Sequence, residues 1–347
     1  MDCNTPKISI LLPNLNNISF LEERIDSIFA QTFTDWELLI VDGYSDDGSW
    51  EYFRKYEDCP KIQLYQEERK GVYAAWNSLI GKAQGEYIYI ATSDDTMYPE
   101  CLRLSLEALE SNPKIYVCSM ALDIIDDKSK IIPHCWESRA GVSFYKKYWK
   151  TTHIRNGIAE FFLHLALGTP HASITGLLIR KSLFEKTGQF QTDVGPIADR
   201  EWEMTCCLFT DIICLPMKLA TWRMRENQAT ESLAPLERLD LFNKSCNRLL
   251  SHHRSTIEKV CGHVVHDLSS ICNLENGYYR SRMVIANTKF TKMQKVSLLS
   301  KLFFRFPAEV SCEVILRLLG LNYMNMRMKN EAKQLIKKYH LKTPVQF

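Results

Sequence analysis

The sequence predicts an α/β fold, a mixed but mainly parallel sheet with flanking helices, followed by a helical C-terminal extension. Three observations predict it. Short apolar, β-branched runs alternate with helix-period segments from residue 7 to residue 90, a pattern that implies parallel strands joined by right-handed crossovers. Polar residues gather at the carboxyl ends of those runs, the edge where ligands bind in such sheets. The last part of the chain departs in charge: Arg280 to Phe347 holds 14 Lys and Arg against 3 Glu, a net +11, which leaves −9 on residues 1–279 of a chain whose overall charge is +2.

The elements follow in order. "KISILLP" (7–13) is a short apolar run ended by Pro13, a buried strand. "SFLEERIDSIFAQT" has apolar residues at 21, 25, 28 and 29 and reads as a helix with Ser19 as its N-cap. "WELLIVDGYSDDGS" is a second strand running into a Gly- and Asp-rich turn, and "SWEYFRKYE" a helix. "KIQLYQE" is a third strand, "GVYAAWNSLIGKAQ" a helix and "EYIYIA" a fourth strand. Further on, "TGLLIRKSLFEKTGQF" from Gly176 reads as strand, turn and helix, and a helix starts near Asp199. The division expected is a sheet domain over 1–230 and a basic helical extension over 231–347.

Asn14, Asp42 and the pair Asp94/Asp95 each stand at the carboxyl end of a predicted strand, so one site at that edge is expected to receive all of them. Neither G-x-G-x-x-G nor G-x-x-x-x-G-K-[ST] is present, which removes the glycine cradles for dinucleotides and triphosphates. Adjacent like charges at Asp94 and Asp95 either cost stability or await a cation; a hard divalent ion, Mg2+ or Mn2+, takes one or two carboxylates plus phosphate oxygens. A solvated turn is the plain alternative.

The segments "ISILLPNLNNISFLEERIDSIFAQTFTDWELLIVDGYSDDGS", "RKGVYAAWNSLIGKAQGEYIYIATSDDTMYP", "GTPHASITGLLIRKSLFEKTGQF" and "IADREWEMTCCL" together resemble the family 2 glycosyltransferases over roughly residues 7–225. The resemblance implies a GT-A fold, a Rossmann-like, nucleotide-diphospho-sugar transferase architecture, and inverting transfer of a sugar to a hydroxyl acceptor. It implies that Pro13 and Asn14 start the nucleotide pocket, that Asp42 accepts a hydrogen bond from the base, and that Gly71 and Asn77 lie near the nucleotide. The family's D-x-D element corresponds to "TSDD", with Thr92 at the first acidic position: Asp94 is left to contact the ribose or the metal, and Asp95 to ligate the metal. Asp199 corresponds to the family's catalytic base, and His171 in "GTPHAS" to a histidine beside the acceptor. Each has a structural reading too: Asp42 as an Asx-turn, Asn77 as an ordinary helix position, Asp199 as an N-cap, His171 as a loop histidine. Glu201 sits two residues on, about 200° round a helix from Asp199, so the two should not form one dyad. Arg223 and Arg225 either reach a phosphate or acidic acceptor or lie on the surface.

The remaining features bound the function. Twelve cysteines occur without a C-x-x-C pair, which argues for reduced thiols rather than zinc or a disulfide framework. His263 and His266 in "HVVH" read as one helix face. No apolar run approaches the ~18 residues of a membrane span, and the N-terminus lacks a basic stretch ahead of its apolar segment, so a cytoplasmic protein is expected. The basic tail, rich in Leu and Phe, suits either a helix on an anionic membrane surface or packing on its own body or a twin subunit in a homodimer. The partners expected are a nucleotide-sugar donor, a UDP-sugar by preference, and a glycan or lipid-linked acceptor of surface polysaccharide synthesis, with no nucleic acid. Two other classes stay open: a nucleotidyltransferase, disfavoured because "PNLNNISF" lacks Gly and Lys, and a noncatalytic saccharide-binding or scaffold relative, motivated by Thr92.

Overall fold

A computed structural model describes residues 5–133, 148, 150–167, 173–225, 235–261 and 290–318, with a few single positions between and beyond. The strands β1 (Ile8–Asn14), β2 (Trp36–Asp42), β3 (Ile62–Gln66) and β4 (Tyr87–Ile90) are all parallel, in the order β3-β2-β1-β4. Every residue of β1 and β2 is buried, as expected of parallel strands covered on both faces. Their side chains alternate: Ile8, Ile10 and Leu12 enter one core layer and Leu11 the other. The helices α1 (Ile18–Phe29), α2 (Ser49–Arg54), α3 (Val72–Lys82) and α4 (Cys101–Glu110) make the connections.

The rest of the sheet is mixed, with β5 (Val117–Ile125), β6 (His153–Arg155), β7 (Leu177–Arg180), β8 (Ile212–Arg223) and β9 (Val345–Gln346) in the order β7-β5-β8-β6-β9. β7 enters antiparallel between β4 and β5, and β5 and β8 run parallel. The helices on this side are α5 (Gly157–Leu167), α6 (Phe184–Thr187) and α7 (Ala198–Cys206). α8 (Pro235–His252) and α9 (Arg254–Cys261) follow, then α10 (Lys292–Arg305) and α11 (Pro307–Leu318). This is the mixed, mostly parallel sheet with flanking helices that the sequence predicts, with C-terminal helices after it.

One local detail corrects the sequence reading. α1 begins at Ile18, so Ser19 lies inside its first turn rather than capping it. The first amide is satisfied from a distance, because Ile18 N–H donates to Asp47 Oδ2 at 2.9 Å while Asp47 Oδ1 accepts from Ser49 N–H at 3.0 Å. One carboxylate thus starts two helices, and the capping signal lay in "SDDGS" rather than beside α1. Where β4 approaches β1, Gly85 is required: a Cβ there would stand 2.6 Å from Ser9 N. Among the described residues no helix is long and apolar enough to cross a membrane. The described cysteines are free thiols, most of them buried.

Candidate active site

The carboxyl ends of β1, β2 and β4 open on a cleft of about 520 Å3, within the usual range for a small-molecule site. Its lining includes Pro13, Asn14, Gly43, Arg69, Gly71 and Tyr73, then Thr92, Ser93 and Asp94, and Asp199 and Arg225. Gly71 precedes α3 with φ 91° and ψ 161°, a conformation that demands glycine. It leaves the start of α3 without a side-chain cap, so the first-turn residues Val72, Tyr73 and Ala74 border the cleft. A helix start of this kind carries unpaired amides and partial positive charge.

Asp42 does not stand in the cleft wall. It is fully buried behind Asn14, whose Nδ2 donates to Asp42 Oδ1 at 2.9 Å, and both its oxygens serve the turn that follows: Ser45 Oγ donates to Oδ1 at 2.6 Å and Ser45 N–H to Oδ2 at 2.8 Å. Both Asp42 oxygens are thus engaged by Asn14 and Ser45, and Gly43 and Asn14 are the residues that line the cleft at that point. Arg69 joins them, donating from Nε to Gly43 O at 2.8 Å and from Nη2 to Tyr44 O at 2.6 Å.

The acidic pair divides in the same manner. Asp94 faces the cleft and forms an ion pair with Arg225 (Nη2 to Oδ2, 3.1 Å), which also donates to Asn17 Oδ1 at 2.9 Å. Asp95 is buried: Thr92 Oγ1 donates to its Oδ2 at 2.5 Å and Arg223 N–H to its Oδ1 at 2.7 Å. Burial and the charge of Asp94 push the Asp95 carboxyl up to about 7. Asp95 thus stands behind Asp94, with its carboxylate engaged by Thr92 and by the Arg223 amide. Arg223 is neither a surface residue nor a phosphate ligand here; wholly buried, it donates to Asp94 O at 2.6 Å, Asp126 O at 2.7 Å and Glu23 Oε2 at 2.7 Å and ties the segments after β4 and β5 to α1.

A hard divalent cation needs oxygen ligands, and no group of three His, Cys, Asp or Glu gathers for one among the described residues. Asp94 presents a carboxylate to the cleft, which fits a cation that draws its other ligands from phosphate oxygens and water.

Asp199 lies in the first turn of α7, whose N-cap is Ile197, so it does not cap the helix. Arg200 N–H donates to its Oδ1 at 2.7 Å, and the Tyr73 hydroxyl lies beside it. Burial raises the Asp199 carboxyl above the ordinary carboxylate value, and burial together with the Asp199 charge lifts Tyr73 well above an ordinary phenol. One turn on, Glu203 is buried with no partner for Oε2 and is pushed well up by burial and by Asp199. Glu201 points the other way and binds α8 through Ser245 Oγ (2.7 Å) and Arg248 Nε (2.8 Å).

Asn77 is not at the cleft. Its Nδ2 donates to Phe190 O at 2.8 Å and its Oδ1 accepts from Phe190 N–H at 2.9 Å, so it pins α3 to the segment after α6. His171, His263 and His266 lie outside the described residues. Tyr73, Arg69 and the ion pair of Arg225 escaped the sequence reading. Tyr73 carried a signal, being two residues after the glycine that opens α3; Arg69 carried none.

Comparison with known proteins follows the same outline. The model of the family described as "Glycosyl transferase family 2" matches residues 9–188, more than half of the chain. The putative teichuronic acid biosynthesis glycosyltransferase TuaG of Bacillus subtilis is 32% identical over 104 residues, 29% of this chain and 41% of TuaG. An uncharacterized glycosyltransferase of Nostoc is 27% identical over 205 residues, 58% of each chain. The chain thus spans less than two thirds of these relatives. Among solved structures, S. aureus TarS 1–349 in complex with UDP-GlcNAc superposes with TM-score 0.61 at 17% identity, over 96% of this chain and 91% of that one. The mannosyltransferase PcManGT of Pyrobaculum calidifontis, in complex with GDP-Man and Mn2+, gives 0.57 at 16% identity, over 98% and 88%. The fold is therefore GT-A, and the chain belongs to glycosyl transferase family 2.

Proposed function

We propose that the chain transfers a sugar from a nucleotide-diphosphate sugar to a hydroxyl acceptor with inversion, in surface polysaccharide or lipid-linked glycan synthesis. The observation that carries this reading is one cleft holding a carboxylate after β4, Asp94, an uncapped helix start at Gly71 and a half-buried carboxylate of raised pKa, Asp199. The nucleoside is assigned to the side of Pro13, Asn14, Gly43 and Arg69, and a UDP-sugar is favoured because TarS is seen with UDP-GlcNAc and with UDP. The amides at the start of α3 and the Arg225 guanidinium face the diphosphate. A Mn2+ or Mg2+ ion, when bound at Asp94, supplies positive charge to the departing diphosphate.

Asp199 takes the proton from the acceptor hydroxyl, and that oxygen attacks the anomeric carbon from the face opposite the diphosphate in one displacement. The hydrogen bond from Arg200 N–H holds the carboxylate in place beside the Tyr73 hydroxyl, and burial raises its basicity. The reading includes a transferase part over residues 1–230, a helical extension over 231–347 and a place at the cytoplasmic face of a membrane.

The test is a thermal-shift screen with UDP-, GDP- and dTDP-sugars, with and without Mn2+, joined to a nucleoside diphosphate release assay. A ligand that binds the folded state raises its melting temperature. A Mn2+-dependent shift by one nucleotide sugar, with release lost in Asp199→Asn, supports the proposal; no shift by any donor overturns it.

A further inference from the structure

α10 presents an outward apolar face with nothing over it among the described residues. None of its 14 residues is buried, and Phe304 (88% exposed), Met293 (81%), Val296 (65%) and Phe303 (45%) are large hydrophobics turned to solvent. At about 100° per residue these four fall within an arc of about 100°. Leu298 and Leu302, half-buried, lie on the other side of the helix, and the half-buried Leu299 flanks the arc beside Phe303. A helix that merely completes a core would show the reverse arrangement, with its bulkiest apolar residues inward.

The charge around the arc says what covers it. Lys292 borders the arc on one side and Lys301 lies about 60° beyond the other, and both are exposed. The helix has four cations, Lys292, Lys295, Lys301 and Arg305, and no acid. It needs no partner to define its start, since Thr291 Oγ1 accepts from Gln294 N–H at 3.2 Å and Gln294 Oε1 from Thr291 N–H at 2.8 Å, a closed capping box. A second copy seated on the same face would bring like charges together, because a two-fold contact apposes identical patches. An anionic lipid surface satisfies both features: acyl chains accept the phenyl rings and headgroups the ammonium groups.

We propose that residues 292–305 form an interfacial helix that docks this chain on an anionic membrane surface, with Phe303, Phe304, Met293 and Val296 inserted and Lys292 and Lys301 at the headgroups. The assignment is independent of the chemistry of the cleft.

The experiment is co-sedimentation of the full chain with vesicles of phosphatidylcholine alone or mixed with phosphatidylglycerol, at low salt and at 0.5 M salt. Binding is expected only to the mixed vesicles and to weaken with salt. Phe303→Ser with Phe304→Ser should abolish it, and Lys292→Gln with Lys301→Gln should weaken it roughly 30-fold, each charge being worth about a factor of five. Light scattering and nucleoside diphosphate release, read on the same samples, should be unchanged in both variants. The proposal is overturned by equal binding to both vesicle types, by no binding, or by a dimer that dissociates in the Phe303/Phe304 variant. Loss of release activity in the unmodified chain would count against the reading of the cleft and not against this helix.

Discussion

Replacing Asp199 by Asn tests the proposed base with almost no change of shape. An Asn carbonyl at this position keeps an acceptor for Arg200 N–H beside the Tyr73 hydroxyl, so the local packing survives while the ability to take a proton is lost. A positioned general base contributes about 10^2 to 10^4 in rate, or about 2.7–5.4 kcal/mol at 1.36 kcal/mol per decade. The turnover number should fall by that factor in a nucleoside diphosphate release assay. The donor dissociation constant should stay within about twofold, because the donor is assigned to residues on the other side of the cleft. In the unmodified chain, burial holds Asp199 above its ordinary 3.8, so activity should rise with pH through a limb displaced upward from the carboxylate range. Stability runs the opposite way. A carboxyl whose pKa is raised by folding binds its proton more tightly in the folded state; its contribution is complete below 3.8 and is lost as pH rises through the raised value. Asn escapes that loss. Asp199→Asn should therefore melt higher than the parent above the raised pKa and gain nothing at acid pH. Turnover within threefold of the parent, or a donor affinity that falls as far as turnover does, would refute the assignment.

The two acidic residues at the end of β4 should separate experimentally. Asp94→Asn should abolish the effect of Mn2+ on donor binding, followed by thermal shift, with little change in the melting temperature of the free protein. Asp95→Ala should instead destabilise the fold by about 1–3 kcal/mol in urea titration, since it leaves the buried Arg223 N–H and the Thr92 hydroxyl without their acceptor. Asn77→Leu should likewise cost about 1–3 kcal/mol by breaking both links to Phe190, with donor affinity unchanged; a selective loss of donor binding would return Asn77 to the nucleotide.

β1, β2 and β4 were legible because they are buried on both faces and read as apolar runs, while β3, "IQLYQ" with only Ile62 buried, read from its place between two helical segments. The antiparallel entry of β7 between β4 and β5 is a non-local pairing, and no feature of "LLIR" announces its neighbours. At the site, strand-end position marked where the polar residues gather but not which way each side chain turns. Asn14 and Asp42 are register partners, and which of them lines the cleft depends on the turn at Ser45. Asn77 and Phe190 lie 113 residues apart, Arg223 and Asp95 128 apart, so partnerships that fix their roles have no local signature. Helix geometry did separate Asp199 from Glu201, since angular spacing within one helix is a local property.

Thr92 explains how a buried carboxylate can sit directly behind one that lines the cleft. Asp95 is already lifted to about 7 by burial and the Asp94 charge. An aspartate at 92 would put a second carboxylate where the Thr92 hydroxyl now donates, 2.5 Å from Asp95 Oδ2, and two acids at that distance cannot both stay ionised. Thr92 thus replaces repulsion by a hydrogen bond. The consequence for the proposed chemistry is that, of the pair after β4, Asp94 is the carboxylate that lines the cleft, paired in the free protein with Arg225. A cation arriving there displaces one positive partner for another, and Arg225 becomes available to the diphosphate that comes with it. Cation and nucleotide should therefore bind together far more tightly than either does alone, each supplying the ligand or the release that the other lacks.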